Sequence, residues 1–200
     1  MSKVSKKIIK LLEENKIKHD VIEHKTTYTA FDTAATNVKN KIKPEEIVKT
    51  LVMKVDKEYV LALMPSNKML DKMKLKRLIN DQIKKEKKNL TMQAKKAVGD
   101  VEKKELEKQA KNLLAVKKID FAKEVWMKKN IMGNIGAVPP FSSLTKLKIF
   151  VDGSLLRQKQ LYLGSGEYEF SIKVTPAQYQ KLEKDFVKGN INVAMKKKKK

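Results

Sequence analysis

Two apolar, β-prone runs, Val48–Val55 and Tyr59–Met64, are separated only by Asp56, Lys57 and Glu58. Runs of that kind closing on a short charged turn predict a β-hairpin. Pro65 ends the second strand because it has no N–H for a ladder. The first run carries a lysine in its middle, within Val48, Lys49, Thr50, Leu51 and Val52. Alternate strand residues face opposite sides, so Lys49 shares a face with Leu51 and Met53. Burying an unpaired ammonium is costly. Lys49 therefore needs an anionic or carbonyl partner, or else it lies on an edge and snorkels to water.

A second feature is the stretch from Gly133 to Phe141, which holds Gly133, Gly136, Pro139 and Pro140. Glycine allows backbone conformations closed to other residues and lets a ligand approach the main chain. Proline fixes φ and stiffens the backbone. A loop that is permissive at one end and rigid at the other can aim backbone N–H groups at ligand oxygens. It can also be a plain structural connection.

The remaining pattern mixes helices and strands. Ile8, Ile9, Leu11 and Leu12 give Ser5–Asn15 one apolar face, with Val4 at its start, and predict a helix. Val21 and Ile22 form a short strand candidate, and 33–38 a helix. A helix is expected over 69–78. Residues 79–114 turn lysine-rich and predict a helical hairpin, with Asp100 as a cap and Leu106, Ala110, Leu113 and Leu114 on one face. Strands are expected at 116–121, 147–151, 162–163 and 168–174, and a short helix at 122–129. Pro176 opens a last helix reaching about Val187. There is no regular βαβ alternation, which predicts an α+β domain around a mixed sheet.

Composition narrows the function classes. A chain of 200 residues with 41% hydrophobic residues can bury one substantial core. It carries 46 Lys and Arg against 23 Asp and Glu, a formal charge of +23. That excess bears on partners rather than fold: nucleic acid first, an anionic membrane second, or a merely lysine-solvated surface. The absence of cysteine excludes disulfides, thiolate zinc sites and cysteine nucleophiles. With only His19 and His24, a histidine-rich metal site is not expected. No apolar run is long enough to span a membrane, and the spaced apolar residues of the N-terminus are unlike a signal peptide. The expected setting is the cytoplasm, with no metal and no cofactor. No Walker loop, dinucleotide fingerprint or set of nucleophile, base and orienting acid stands out. His24 reads as an organiser of the core or the pocket rim.

In order along the chain come Glu23 and His24; Tyr28, Thr29 and Ala30; Val48 to Val52; Leu61 to Pro65; Leu70 and Asp71; Gly136 to Phe141; and Val151 and Asp152. This series resembles the YbaK/ProX family of aminoacyl-tRNA editing domains over most of residues 1–190. The resemblance implies a mixed, barrel-like sheet surrounded by helices, within a single domain of residues 1–194. A basic helical insertion occupies about 76–114, and 195–200 form a disordered lysine tail. It implies hydrolysis of the ester joining a wrong amino acid to tRNA, with tRNA-Pro as the expected substrate. Lys49 matches the family's strand lysine at the tRNA 3′ end. Gly136 and Pro140 match a Gly-x-x-x-Pro loop that holds the aminoacyl group.

On this resemblance Lys49 and Gly136 are the catalytic positions. His24, Tyr28, Thr29, Thr50, Ala137, Val138, Pro140, Phe141, Gly164, Ser165 and Gly166 are the expected substrate contacts. The family chemistry implies no side-chain general base; hydroxyls of the terminal adenosine help to place the water. One departure concerns the hairpin: Gly164, Ser165 and Gly166 stand where some members have Ser-Gly-Gly, and Ser171 stands near an expected Asp. Lys84, Lys85, Lys87, Lys88, Lys95 and Lys96 are expected to grip tRNA. Partners are mischarged tRNA and an aminoacyl-tRNA synthetase, with no membrane, for a monomer or weak oligomer. The alternative is a non-catalytic module of the same fold that binds tRNA or a synthetase.

Overall fold

The strands β2 (Val48–Val55) and β3 (Glu58–Pro65) pair antiparallel in full register, from Val48 opposite Pro65 to Val55 opposite Glu58. The predicted hairpin is present, and its turn is tighter than the three charged residues suggested, since Glu58 already pairs. Asp56 takes a positive φ of 50° at this turn. Its carboxylate accepts the N–H groups of Lys117 (3.0 Å) and Lys118 (2.8 Å), and those bonds hold its pKa below the usual carboxylate value. They also deliver β5 (Ile119–Phe121) to the end of β2, where it pairs antiparallel.

The computed structural model describes residues 5–30, 32–33 and 42–195. Val4, most of the helix expected at 33–38 and the lysines of 196–200 lie outside the described residues. The hairpin is the centre of a five-stranded mixed sheet in the order β5-β2-β3-β6-β9. Here β6 (Lys148–Asp152) runs parallel to β3, and β9 (Val187–Gly189) runs parallel to β6. A second sheet joins β1 (Asp20–Glu23), β8 (Phe170–Val174) and β7 (Leu161–Gly164), all antiparallel. A two-stranded ribbon pairs β4 (Lys68–Leu70) with β10 (Asn192–Ala194). The barrel-like expectation is corrected: the strands fall into three separate sheets, and no closed barrel forms among the described residues. Among the described residues a single bridge, from Ile47 to Tyr162, links the two larger sheets, too little pairing to close a cylinder.

Strand alternation splits the interior into two cores. Val48, Val52, Leu61, Leu63, Ile149 and Val151 face a core shared with the three-stranded sheet and α1 (Lys6–Glu14), which contributes Ile8 and Leu12 one turn apart. Met53, Val55, Val60, Ala62, Met64 and Phe150 face the other side, covered by Leu75 and Ile79 of α2 (Lys72–Lys96). The central strands are buried on both faces, which is why they read as continuous apolar runs.

Several boundaries differ from expectation. Residues 68–70 are strand, and α2 starts behind Asp71, whose carboxylate caps it by accepting the N–H groups of Met73 (2.9 Å) and Lys74 (3.1 Å). The helix then runs unbroken for 25 residues to Lys96. It turns back as α3 (Asp100–Asn112), where Gly99 rather than Asp100 holds the cap position. Asn80 exchanges two bonds with Val116, 2.7 and 3.3 Å, and ties the returning chain to α2. The connection continues through α4 (Glu124–Asn130) and the short α5 (Ser142–Thr145). The last helix, α6 (Pro176–Leu182), is shorter than expected. The strand β9 takes residue 187 from its expected end, and neither β9 nor β10 is predicted by the sequence pattern.

Candidate active site

The Gly133–Phe141 loop is welded to the hairpin between β7 and β8. Asn134 N–H donates to the Gly166 carbonyl (2.8 Å), and Gly166 N–H donates to the Ala137 carbonyl (2.8 Å). The Tyr168 hydroxyl donates to the Ile135 carbonyl at 2.9 Å. Gly136 has a φ of 97°, and a Cβ built there would stand 2.3 Å from the Tyr28 carbonyl oxygen. Gly133 has a φ of 87° and leaves no room for a Cβ, which would fall 2.4 Å from the Gly166 Cα. Both positions therefore demand glycine. At the far end α6 holds the loop. The buried Tyr179 hydroxyl donates to the Pro140 carbonyl (3.0 Å), and Glu183 accepts both the N–H (3.0 Å) and the hydroxyl of Ser142. Burial pushes the Glu183 carboxyl and the Tyr179 hydroxyl above their ordinary pKa values.

The segment before the first long strand closes over this assembly. His24 N–H donates to the Glu169 carbonyl and Thr27 N–H to the Tyr168 carbonyl, while Tyr28 packs edge-on against Tyr168 at 5.0 Å. Between these pieces lies a narrow cleft of about 30 Å³, the volume of roughly one water in the liquid. Its walls include His24, Thr29, Gly136, Ala137, Gly164 and Ser171. A larger cavity of about 1010 Å³ opens elsewhere, between α2, the α3 return and the β2–β3 turn. The Gly136 loop does not reach it, so size does not select the site here.

Of the sequence-predicted contacts, His24, Thr29, Gly136, Ala137 and Gly164 meet at the cleft. Thr29 donates to Asp32 Oδ2 at 2.7 Å. Val138 and Phe141 are core residues, and Pro140 anchors Tyr179. Ser165 is fully buried and spends its hydroxyl on the Phe170 carbonyl (2.6 Å) and the Glu167 N–H (3.2 Å), shaping the hairpin that Gly166 turns. Tyr28 is 66% exposed and meets Gly136 through its carbonyl. The Thr50 hydroxyl is buried without a hydrogen-bond partner and does not line the cleft.

Lys49 is placed apart. Its neighbours in the chain, Ile47 and Val48, line the cleft, but alternation sends its own side chain to the opposite face of β2. There the ammonium donates to the carbonyls of Ser66 (3.4 Å) and Lys68. This is the carbonyl partnership its position required, and partial burial lowers its pKa. The six tRNA-directed lysines all sit on α2, beyond the second core from the cleft.

One pair is invisible in the sequence pattern. Ser171, on β8, brings its Oγ to 2.9 Å from His24 Nε2, while His24 Nδ1 lies 2.9 Å from the Lys25 carbonyl. The two residues are 147 positions apart, and the only local signal is Ser171 standing near an expected carboxylate.

The family model for the aminoacyl-tRNA editing domain matches residues 24–101 and 84–182, two overlapping stretches that together cover most of the chain. The chain belongs to the aminoacyl-tRNA editing domain family. The YbaK/ProX resemblance is thereby borne out. Solved structures show the same fold. One is a candidate trans-editing enzyme for prolyl tRNA synthetase: 19% identity, TM-score 0.68, covering 97% of this chain and 99% of that one. A hypothetical protein gives 17% identity and a TM-score of 0.68, over 94% of this chain and all of the other. A scaffold protein used for epitope backbone grafting gives 17% and 0.67, over 98% of this chain and all of the other. No curated protein matches. No helix among the described residues is long and apolar enough to cross a membrane.

Proposed function

We propose that this editing domain is an aminoacyl-tRNA deacylase, hydrolysing the ester of a mischarged tRNA, with tRNA-Pro as the first substrate to test. The carrying observation is the reciprocal lock of Asn134 and Ala137 onto Gly166, which holds the Gly136 backbone rigid beside the cleft. An aminoacyl ester is already activated, so positioning and a few fixed donors go far. Orientation is worth on the order of 7 kcal/mol or more in favourable systems. A backbone donor aimed at the developing oxyanion adds roughly 3 kcal/mol.

In this reading Gly136 and Ala137 cradle the aminoacyl group. Lys49 holds the nucleic-acid end from the other side of β2, giving up its bonds to Ser66 and Lys68 for a phosphate. The lysines of α2 take the body of the tRNA in a cytoplasmic setting.

The test is deacylation of a set of mischarged tRNAs by the intact protein. Turnover on one of them, strongly reduced in Lys49→Ala with the melting temperature retained, is expected. One observation favours a second reading, a binding module without hydrolysis: the Lys49 ammonium faces away from the cleft. Tight tRNA binding with no turnover on any substrate would establish that module and remove the enzyme.

A further inference from the structure

The three-stranded sheet carries a second hollow, at the end away from the cleft. On β8, Ser171 lines the cleft. Lys173, two residues on and so on the same face, lines the hollow. Tyr162 joins the two. It lines the cleft, stands opposite Lys173 in the β7–β8 ladder, and donates its hydroxyl to Gln160 Oε1 at 3.3 Å. Gln160 lines the hollow, with Lys18 and Asp20 from the entry of β1, Lys159, and Gln178 from α6. The hollow holds about 240 Å³. That is below the range of drug-sized pockets and suits one small polar unit.

Two features define its ligand. The first is charge. Lys173 is bound to Asp20 at 3.0 Å, so that pair cancels. Lys18 and Lys159 remain in excess: both are exposed, and neither forms an ion pair among the described residues. Two free ammonium groups at one hollow select an anion. The second feature is Gln178, whose Oε1 is buried without a hydrogen-bond partner. A carboxamide oxygen only accepts, so it needs a donor from the ligand. A phosphodiester has no hydrogen to give. A ligand that satisfies both features carries a phosphate and a hydroxyl side by side, as RNA does through its ribose 2′-hydroxyl and DNA does not.

We infer that this hollow is a ribonucleotide subsite. Lys18 and Lys159 take one phosphodiester, and Gln178 Oε1 accepts the adjoining 2′-hydroxyl. The strand that ends in the cleft then runs along the three-stranded sheet, from Ser171 toward Lys173, about 7 Å further by strand rise. This rests on the deacylase reading for the identity of the RNA. The subsite is on the sheet that lines the cleft, whereas the lysines of α2 lie beyond the second core. It therefore holds nucleotides near the ester, which α2 does not reach.

The experiment measures binding of the intact protein to an uncharged acceptor-stem RNA hairpin of tRNA-Pro by fluorescence anisotropy. Single 2′-deoxy substitutions are placed in turn along its 3′ strand, except at the terminal adenosine, whose ribose belongs to the cleft. One position is expected to weaken binding roughly three- to tenfold, as for one lost hydrogen bond. In Gln178→Leu the same substitution should make no further difference. Lys18→Gln combined with Lys159→Gln should shrink the salt slope by roughly 0.7–0.9, as for one phosphate. Melting temperatures check both variants, and the 2′-deoxy scan on the unaltered protein does not depend on either. No sensitive position in that scan, equal sensitivity in Gln178→Leu, or an unchanged salt slope overturns the subsite and leaves the deacylase standing. All three effects without deacylation of any mischarged tRNA keep the subsite and remove the deacylase.

Discussion

Single residues hold the loop that forms the cleft. Gly136→Ala combines a positive φ with a Cβ against the Tyr28 carbonyl, a backbone group that cannot swing aside as a side chain could. It is expected to lower stability by about 1–3 kcal/mol and to abolish deacylation, read by denaturant unfolding and turnover. Tyr179→Phe removes the tether on the Pro140 carbonyl, for about 1 kcal/mol. Its effect should appear as slower turnover with tRNA affinity unchanged. Glu183 makes a prediction about pH. Burial raises its folded pKa above the ordinary 4.5, so the native state binds the extra proton between those values. Stability therefore falls as pH rises through that window. Glu183→Gln should flatten this dependence, seen in denaturation midpoints from pH 4 upward; equal pH profiles for both proteins would contradict it. Glycines 133 and 136 were legible because their chemistry is local. The contact of Ser171 with His24 was not, because it joins residues 147 positions apart.

At the scale of elements, the lysine-rich stretch separates into two unlike helices. The 25 residues of α2, about 37 Å long, carry ten basic residues and two acids, whereas α3 carries four of each. Arg77, Lys84, Lys88 and Lys95 recur at spacings of seven, four and seven and so share one face. The two acids of α2 lie within ion-pair distance of Lys84 and Lys148. The helical hairpin was legible from charge and periodicity; the difference between its halves was not, since both read simply as lysine-rich. Replacing Lys84, Lys85, Lys87, Lys88, Lys95 and Lys96 by glutamine should weaken tRNA binding. Its salt slope should shrink by roughly 0.7–0.9 for each phosphate no longer neutralised. Hydrolysis of a minimal aminoacyl-RNA mimic should persist. Unchanged affinity in a salt titration would clear α2 of the role.

At the scale of the molecule, the five-stranded sheet sets cleft and basic helix on opposite faces. A tRNA using both must pass around an edge of that sheet, and Lys49, at the start of β2, turns its ammonium to the face opposite the cleft. Asp152 closes the architecture. Burial alone would raise its pKa, but bonds from Ser154, the Ile191 N–H and Asn192 together hold it below the usual value. It brings β10 back to β4. Asp152→Ala leaves the Ile191 and Ser154 N–H groups without their carboxylate partner and should destabilise the fold by about 2–4 kcal/mol, measured by urea unfolding.

The sequence by itself determined the central hairpin, the glycines of the loop, the basic helices and, through the ordered motifs, the family. Each of these depends on local chemistry: periodicity, backbone freedom or charge. Only the tertiary structure decided that the strands form three sheets rather than a barrel, that Lys49 turns from the cleft to the Ser66 and Lys68 carbonyls, and that Ser171 meets His24. Those outcomes depend on pairing between distant strands, and a one-residue change of register would reverse which side chains face the cleft.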